Sequence, residues 1–587
     1  MCPSDPSATS RTESIRTSGD SIFPDSIADV TVVNSIHSHD PRVPLGPLYL
    51  CSFLEAHGYD VDFRDYQICD DVDVGKPEHF AAWLSGAAPI VAISTLSSSL
   101  PLVLASLSRT QLRDQIETVV LGGPGVSSLG THILRLFPSV DIVVRGEGEL
   151  TLLELVKQLR NGGSLDQVSG ITYRDGRDIK QNSPRERLHD LDVLPFPAYH
   201  HVDLQEYTKR TEFDRIPLAV LSARGCPYMC TFCDIPGIWS GGIRYRSVAN
   251  VLQELDLLRT DHGIPRFHVA DDTFVMDRER VFEFCSALED RDFDMPWSCL
   301  GRVDRMDEEV LQRLAAAKCD TIFYGIESGS DEILQRIGKG FTAGEAMDVV
   351  QLSKNYMKVH VSFIWGFPFE ILDDLYDTTI TLLAMFRMGA EPHLNVLVPL
   401  PSAEINKTYR KHRSSQKAWE IGWDWAMMEN YEYSNELHDL IGRHPDIFAP
   451  FYRLDSPDFD RKLSLLESWG LGLGNARPPH HKGGERAHDA SLELEGDTRL
   501  PAISDDVLLR NIGKRWYIFD LTDCLLFEPG PRYAELFRAC QRRDRLEQTV
   551  ATLSLSAGCS AKEAQRFVVK VLRKFAERGF LTRSPAL

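Results

Sequence analysis

At 587 residues the chain is long enough for three or four domains with full-sized cores, and its apolar (43%) and charged (25%) fractions are those of an ordinary globular protein. The formal net charge of −21 argues against a protein that coats nucleic acid, because phosphate binding needs clustered Lys and Arg. Twelve cysteines are too sparse and scattered for a disulfide framework, and the most apolar stretch, Ile90–Leu107, is broken by Ser97–Ser99 and Pro101, so neither a disulfide scaffold nor a membrane span is expected.

Residues 1–27 are rich in Ser, Thr and Asp without an apolar core and read as a disordered tail rather than a signal peptide. The segment 28–160 then alternates strand and helix. Asp29–Val33 is a strand, followed by the loop Asn34–Pro44 and a helix over Leu45–His57 that closes at Gly58. Val61–Phe63 and Ile90–Ser94 are further strands. Val119–Leu121 runs into Gly122-Gly123-Pro124, and Ile142–Val144 into Gly146-Glu147-Gly148-Glu149. Strands alternating with helices and ending in small residues indicate a doubly wound, Rossmann-like parallel sheet, which binds ligands beyond the carboxyl ends of its strands. No G-x-G-x-x-G opens a helix after the first strand, so a dinucleotide is a weak reading. Residues 161–194 read as a linker region, closed by Leu194-Pro195-Phe196-Pro197.

From 195 to 475 a second series of β–α units follows. The strand-like segment Pro217–Ser222 leads into Ala-Arg-Gly-Cys-Pro-Tyr-Met-Cys-Thr-Phe-Cys-Asp, which places Cys226, Cys230 and Cys233 in a C-x3-C-x2-C array. Three close thiolates can hold three irons of a [4Fe–4S] cluster and leave the fourth iron open to a small molecule. A structural zinc site is the alternative, but it wants four ligands and there is no second C-x2-C. Free thiolates of this kind also require a reducing compartment, read as the cytoplasm. Strands follow at Phe267–Ala270, before Asp271-Asp272, and at the approach to Gly301-Arg302-Val303-Asp304. Others are Thr321–Gly325, before Glu327-Ser328-Gly329-Ser330, then Val359–Ile364 and Leu394–Leu397, with helices near Arg278–Glu289 and Glu308–Ala317. Repeated units of this length indicate a parallel (β/α) barrel whose functional residues sit at the strands' C-terminal ends. Phe274, Trp365 and Phe367 read as core more readily than as pocket aromatics.

Residues 476–500, rich in Gly, Pro, His and charge, read as a flexible linker, with His480-His481 solvated. The last segment, 501–587, forms a compact α+β unit with a strand-like run at Trp516–Leu521 and short helices near Leu536–Ala539 and Leu546–Leu553. Ser560-x-x-Glu563 is a capping box that opens an amphipathic helix ending at Gly579.

The cysteine array with Phe232 before its third Cys resembles the motif of the radical S-adenosylmethionine (SAM) enzymes, whose barrel is the partial (β/α)6 form. Pro44-Leu45-Gly46-Pro47, Leu121-Gly122-Gly123-Pro124 and Gly146-Glu147-Gly148-Glu149 resemble the cobalamin-binding domain that precedes many of those barrels. The resemblance, which extends to the tryptophan C2-methyltransferase type, covers roughly residues 28–475. It implies that the corrin tail threads past Leu45, Gly46, Ser94, Thr95, Gly122, Gly123, Gly125, Gly146 and Glu147. The D-x-H-x-x-G motif that supplies a cobalt ligand elsewhere is missing; the loop holds His37, His39 and Arg42, and Arg42 is the candidate beside the lower cobalt face. Around SAM, the resemblance places Glu327 against the amino group, Arg302 on the carboxylate, and Ser362 on the ribose or carboxylate. Asp271 and Asp272 either orient SAM or substrate or cap the loop. The C-terminal unit resembles the PqqD-type winged-helix reader of leader peptides, with a cap over the barrel as the alternative.

The implied cofactors are a [4Fe–4S] cluster, SAM and cobalamin, with an external flavodoxin- or ferredoxin-type electron donor and no nucleic acid or membrane. The implied activity is C-methylation of an amino acid, peptide or other natural-product precursor, such as tryptophan C2. Rearrangement or cyclisation on the same cofactors, without methyl transfer, is the alternative.

Overall fold

The computed structural model describes residues 28–582 except 37–41, 70–74, 110–111, 113–114, 211–217, 240, 418–433, 472–473, 476–498, 523 and 579. The tail 1–27, His37, His39, His480-His481, Gly579 and most of the 476–500 linker therefore lie outside the described residues.

The first sheet has seven strands: β1 (Val30–Asn34), β2 (Val61–Asp65), β3 (Ile90–Ser94), β4 (Thr118–Gly122), β5 (Ile142–Val144), β6 (Ile171–Asp175) and β7 (Asp178–Gln181). Their order is β2-β1-β3-β4-β5-β6-β7, parallel through β5 and antiparallel beyond it. The strand order reverses between β2-β1 and β3, the topological switch point at which open α/β sheets leave a crevice. Val30, Val32 and Val33 are fully buried, as a strand covered on both faces requires. Helix α1 (Leu45–Glu55) follows β1 and buries Leu48, Tyr49, Cys51 and Leu54.

The stretch 161–194 differs from the sequence expectation. It is not a linker throughout, because β6 and β7 form a hairpin that extends the first sheet. The turn is Gly176-Arg177, with Gly176 at φ +60°, the geometry a two-residue hairpin favours.

The barrel strands are β8 (Ala219–Val220), β11 (Phe267–Val269), β12 (Trp297–Gly301), β13 (Cys319–Glu327), β14 (Lys358–Trp365) and β15 (Glu391–Val396). The small pair β9 (Ala223–Arg224) and β10 (Arg244–Tyr245) stands beside the first of them. All six pair in parallel in the order β15-β14-β13-β12-β11-β8, the partial (β/α)6 barrel that was expected. Burial alternates along β14: Val359, Val361, Phe363 and Trp365 are buried in the outer layer, and Lys358, His360, Ser362 and Ile364 lie half-buried on the lumen face. Trp365 stacks on Phe459, and Phe274 packs edge-on against Phe284 and Trp297, so both are core residues.

A short antiparallel pair, β16 (Arg413–Lys417) with β17 (Tyr452–Leu454), follows, and β18 (Gly474–Asn475) closes the barrel edge against β15. The C-terminal unit is α+β: β19 (Val507–Ile512), β20 (Arg515–Asp520) and β21 (Leu525–Phe527) form an antiparallel sheet, followed by helices Pro531–Arg542, Leu546–Ala557 and Ala561–Glu577. The Ser560–Glu563 capping box is formed. This unit docks on the barrel's outer helices: Arg510 pairs with Asp373 (2.7 Å) and Asp377 (3.0 Å), and Trp469 Nε1 donates to the Leu521 carbonyl (2.7 Å). Among the described residues no helix is long and apolar enough to cross a membrane.

Candidate active site

The switch-point crevice of the first sheet is a real cavity, of about 220 Å³. Its floor is Ala92, Ile93, Val120 and Val144 on β3, β4 and β5, and its walls include Gly46, Ser94, Gly122, Gly123, Gly146 and Glu147. Its far wall comes from the barrel: Leu221, Arg224, Ile238 and Trp239. The mainly apolar lining fits the flat benzimidazole base at the end of the cobalamin tail. Gly46 lines the exposed rim of the cavity, and a Cβ there would meet nothing within 4 Å, so a larger side chain has room to reach over the opening.

Three residues expected along the tail lie behind the cavity instead. Thr95 is buried, and its Oγ1 and N–H both donate to the Gly122 carbonyl (2.9 Å each). Gly125 packs against the Leu96–Ser97 backbone, where a Cβ would sit 2.5 Å from the Leu96 carbonyl carbon. Leu45 points into the shared core. Gly123 shows why the loop needs glycine: its φ is +90°, and a Cβ would lie 2.6 Å from the Thr95 oxygen. Arg42 is exposed, its N–H donates to Gln67 Oε1 (3.0 Å), and its charge reaches His268 on β11, so it lies on the side facing the barrel rather than in this cavity.

Arg224 is the residue that sequence reasoning missed. Its guanidinium lies 5.4 Å from the Tyr49 ring centroid and 5.6 Å from that of Trp239, and donates to Glu149 at 2.6 Å. Glu147 is claimed by Arg244 (2.6 Å) and by the Leu188 N–H (3.0 Å), so this cavity-wall carboxylate anchors the two domains to each other. Burial raises the Glu149 carboxyl more than any one neighbour lowers it, but the Arg224 charge and hydrogen bond, the backbone N–H and the Arg244 charge together hold the group below its ordinary range. The only sequence signal was position: Arg224 stands two residues before Cys226.

The cysteine loop is held on both sides. Asp271, buried, accepts from the Ser222 and Ala223 N–H groups (2.7 and 2.8 Å), and Asp272 accepts from the Gly225 N–H (3.1 Å). Both acids thereby shape the strand and turn before Cys226. Beyond it, the Thr231 N–H donates to the Ile337 carbonyl (3.1 Å), and Cys230 Sγ approaches the Gly338 carbonyl (3.7 Å). The three thiols lie within electrostatic reach of one another. Burial, reinforced by Cys230 and Cys226, pushes the Cys233 thiol up to about 12, and burial raises Cys226 as well. Iron must therefore displace protons from these thiols on binding. Phe232 meets Phe367 edge-on at 6.3 Å.

Opposite this loop, at the end of β13, Glu327 holds φ +73°, a left-handed conformation that a non-glycine residue adopts at a cost of order 1–3 kcal/mol. Its carboxylate folds back over Gly325, where a Cβ would sit 2.3 Å from Oε1, and pairs with Lys339 at 3.3 Å. Ser362 is the register partner of Gly325 and lies half-buried on the same lumen face. Arg302 is engaged otherwise: it donates to Asp304 (2.9 Å) and to the Lys339 carbonyl, and stacks 3.4 Å from the Tyr228 ring centroid. Glu327, Lys339, Phe232 and Arg302 thus converge beside the cysteine loop.

Comparison with known proteins agrees with both halves. The B12 binding domain family matches residues 33–156 and the Radical SAM superfamily matches residues 220–380. An uncharacterized methyltransferase of Pyrococcus horikoshii is 34% identical over 262 residues, 44% of this chain. The match spans 56% of that relative, a little over half its length. The anaerobic magnesium-protoporphyrin IX monomethyl ester cyclase of Synechocystis is 27% identical over 348 residues, covering 58% of this chain and 68% of the cyclase. Among solved structures, the radical SAM methyltransferase TsrM of Kitasatospora setae, with tryptophan and a SAM analogue bound, shares the fold at a TM-score of 0.58 and 18% identity over 78% of this chain and 92% of its own. Two family matches in this order, on a Rossmann-like sheet and a partial barrel, place the chain among the cobalamin-dependent radical SAM enzymes, with a [4Fe–4S] cluster, SAM and cobalamin as cofactors.

Proposed function

We propose that the protein is a C-methyltransferase that moves a methyl group from SAM, by way of cobalamin, to a carbon of an amino acid, peptide or related precursor. One observation carries the reading: Leu221 and Arg224, which wall the cobalamin cavity, lie on the same short segment as Cys226, so the two cofactor sites face a common space. When bound, the cluster supplies an electron to SAM and cobalamin carries the methyl group.

The protein's own residues position and shield. Cys226, Cys230 and Cys233 hold the cluster, and Phe232, packed on Phe367, closes one side of it against water. Glu327, aimed by Lys339, offers a carboxylate to the SAM ammonium. Arg302 serves the SAM carboxylate by exchanging it for Asp304, and Ser362 offers its hydroxyl from the adjoining strand. Gly46, Ser94, Gly122, Gly123, Gly146 and Glu147 border the corrin tail, with Arg224 and Trp239 opposite. The electron comes from a flavodoxin- or ferredoxin-type donor.

SAM carrying a deuterated methyl group tests the reading: the product gains the label and S-adenosylhomocysteine accumulates. Unlabelled product without S-adenosylhomocysteine overturns it and favours cyclisation or rearrangement, the second reading, supported by the cyclase relative. Labelled product without stoichiometric 5′-deoxyadenosine marks the polar, tryptophan-type route. For the C-terminal unit we infer a peptide-reading role, supported by its three-stranded antiparallel sheet, in which β19 and β21 are the edge strands. Retained turnover of peptide substrate after deletion of 501–587 contradicts that role.

A further inference from the structure

Away from both cofactor sites, two histidines and a glutamate converge on one point. Glu55 is the last residue of α1, and His200 and His201 occupy the single 3-10 turn Tyr199–His201 that leads into the barrel domain. His201 Nε2 lies 2.5 Å and His200 Nε2 3.3 Å from the same oxygen, Glu55 Oε1. Among the described residues this is the only group of three or more His, Cys, Asp or Glu side chains whose ligand atoms all lie within 4.8 Å of one another.

We propose that Glu55, His200 and His201 form a zinc site that clamps the cobalamin domain to the barrel. Two imidazole nitrogens and one carboxylate are a standard zinc donor set when a water fills the fourth position. On a tetrahedral zinc with bonds near 2.1 Å, neighbouring ligand atoms stand roughly 3.4 Å apart, so the three atoms need only sub-ångström to ångström adjustments to enclose the ion. Zinc takes the lone pair of each Nε2; each ring moves its proton to Nδ1 or releases it.

The backbone that presents the histidines is already fixed. The Ala198 N–H donates to the Leu48 carbonyl of α1 (3.1 Å), and the Tyr199 hydroxyl donates to Glu254 of a barrel helix (2.6 Å). The His201 ring packs 5.8 Å from Phe63. This preorganisation lowers the entropic cost of binding. The His200 side chain is 65% exposed, against 20% for His201 and 27% for Glu55, which leaves an entry path and an open position for water. The clamp acts on α1, the helix that gives Gly46 and Tyr49 to the cobalamin cavity.

The test uses the untagged full chain with its cluster reconstituted and zinc alone added, followed by equilibrium dialysis and metal analysis. One zinc per chain should be retained beyond the iron. His201→Ala, the exposed His200→Ala and the conservative Glu55→Gln should each weaken binding at least about tenfold, no less than outer-shell changes do, with iron content unchanged. Cobalt(II) in place of zinc should show no thiolate charge-transfer band. Equal zinc retention in wild type and all three variants, no zinc retention by the wild type, or a strong thiolate band that assigns the metal to cysteine, overturns the proposal.

Discussion

Arg224→Met tests whether the interdomain ion pairs hold the active site together. Arg224 and Glu149 meet at 2.6 Å with side chains 7% and 5% exposed. Methionine keeps most of the apolar stem but leaves the Glu149 carboxylate buried with only the more distant Arg244 charge nearby. Breaking one partner of a buried pair costs about 3–5 kcal/mol. At 1.4 kcal/mol per factor of ten, this is roughly a 100- to 4000-fold loss of protection against local opening. Hydrogen exchange of peptides covering the helix Glu149–Arg160 reads it directly, without assuming two-state unfolding of a multidomain chain. The pH dependence carries a sign. In the wild type the Glu149 carboxyl is depressed in the folded state, so its contribution is present above the unfolded value near 4.3 and fades as pH falls through the folded value. In the variant, burial without Arg224 raises the folded value, so the deficit is full at neutral pH and narrows on acidification. Arg224→Met/Glu149→Leu should recover most of the protection, since a well-packed apolar pair replaces a buried ion pair at little cost. Protection in Arg224→Met within about threefold of wild type at neutral pH would refute the reasoning.

Cys226→Ala, Cys230→Ala and Cys233→Ala should each abolish a cluster of about four irons, measured by iron analysis and absorption; single replacements of the other nine cysteines should not. Gly46→Phe should remove cobalamin binding while leaving iron content unchanged, because the ring reaches over the opening of a cavity of about 220 Å³ whose rim Gly46 lines. Lys462→Met should lower the denaturant midpoint of the barrel domain, since Lys462 and Glu370 are both fully buried and pair at 3.1 Å, and removing one partner leaves the other buried alone. An unfolding midpoint unmoved by Lys462→Met would contradict that pairing.

The strand–helix alternation was legible because most parallel strands are short apolar runs and several, such as β4, β12 and β14, run into glycine, and the ends fall within a few residues of the expected ones. β6–β7 and β19 escaped notice because edge hairpins carry mixed polar residues. Their signals were the two-residue turns Gly176-Arg177 and Gly513-Lys514, each opening on a glycine at φ +60°. The cysteine array was legible because its three thiols are local in sequence. Arg224 with Glu149 was not, since they lie 75 residues apart and meet only after two domains dock. Asp271 and Asp272 show the reverse error available to motif reading: acids beside a metal loop whose oxygens serve backbone N–H groups.

The placement of the buried charges then has a physical logic. Apolar packing would join the two domains with equal or better stability, but it tolerates sliding by fractions of an ångström. An Arg–carboxylate pair at 2.6 Å has a preferred direction as well as a distance. The segment from Leu221 to Cys233 is tied at one end to Glu149 through Arg224, in the middle to Asp271 and Asp272, and at the far end to the Ile337 and Gly338 carbonyls. Any rotation of the first domain about the barrel would therefore break a directional bond before it changed much apolar area. Since the cavity wall and the three cysteines belong to that one segment, fixing its orientation fixes the cavity relative to the cysteine loop, which apolar contact alone would leave loose.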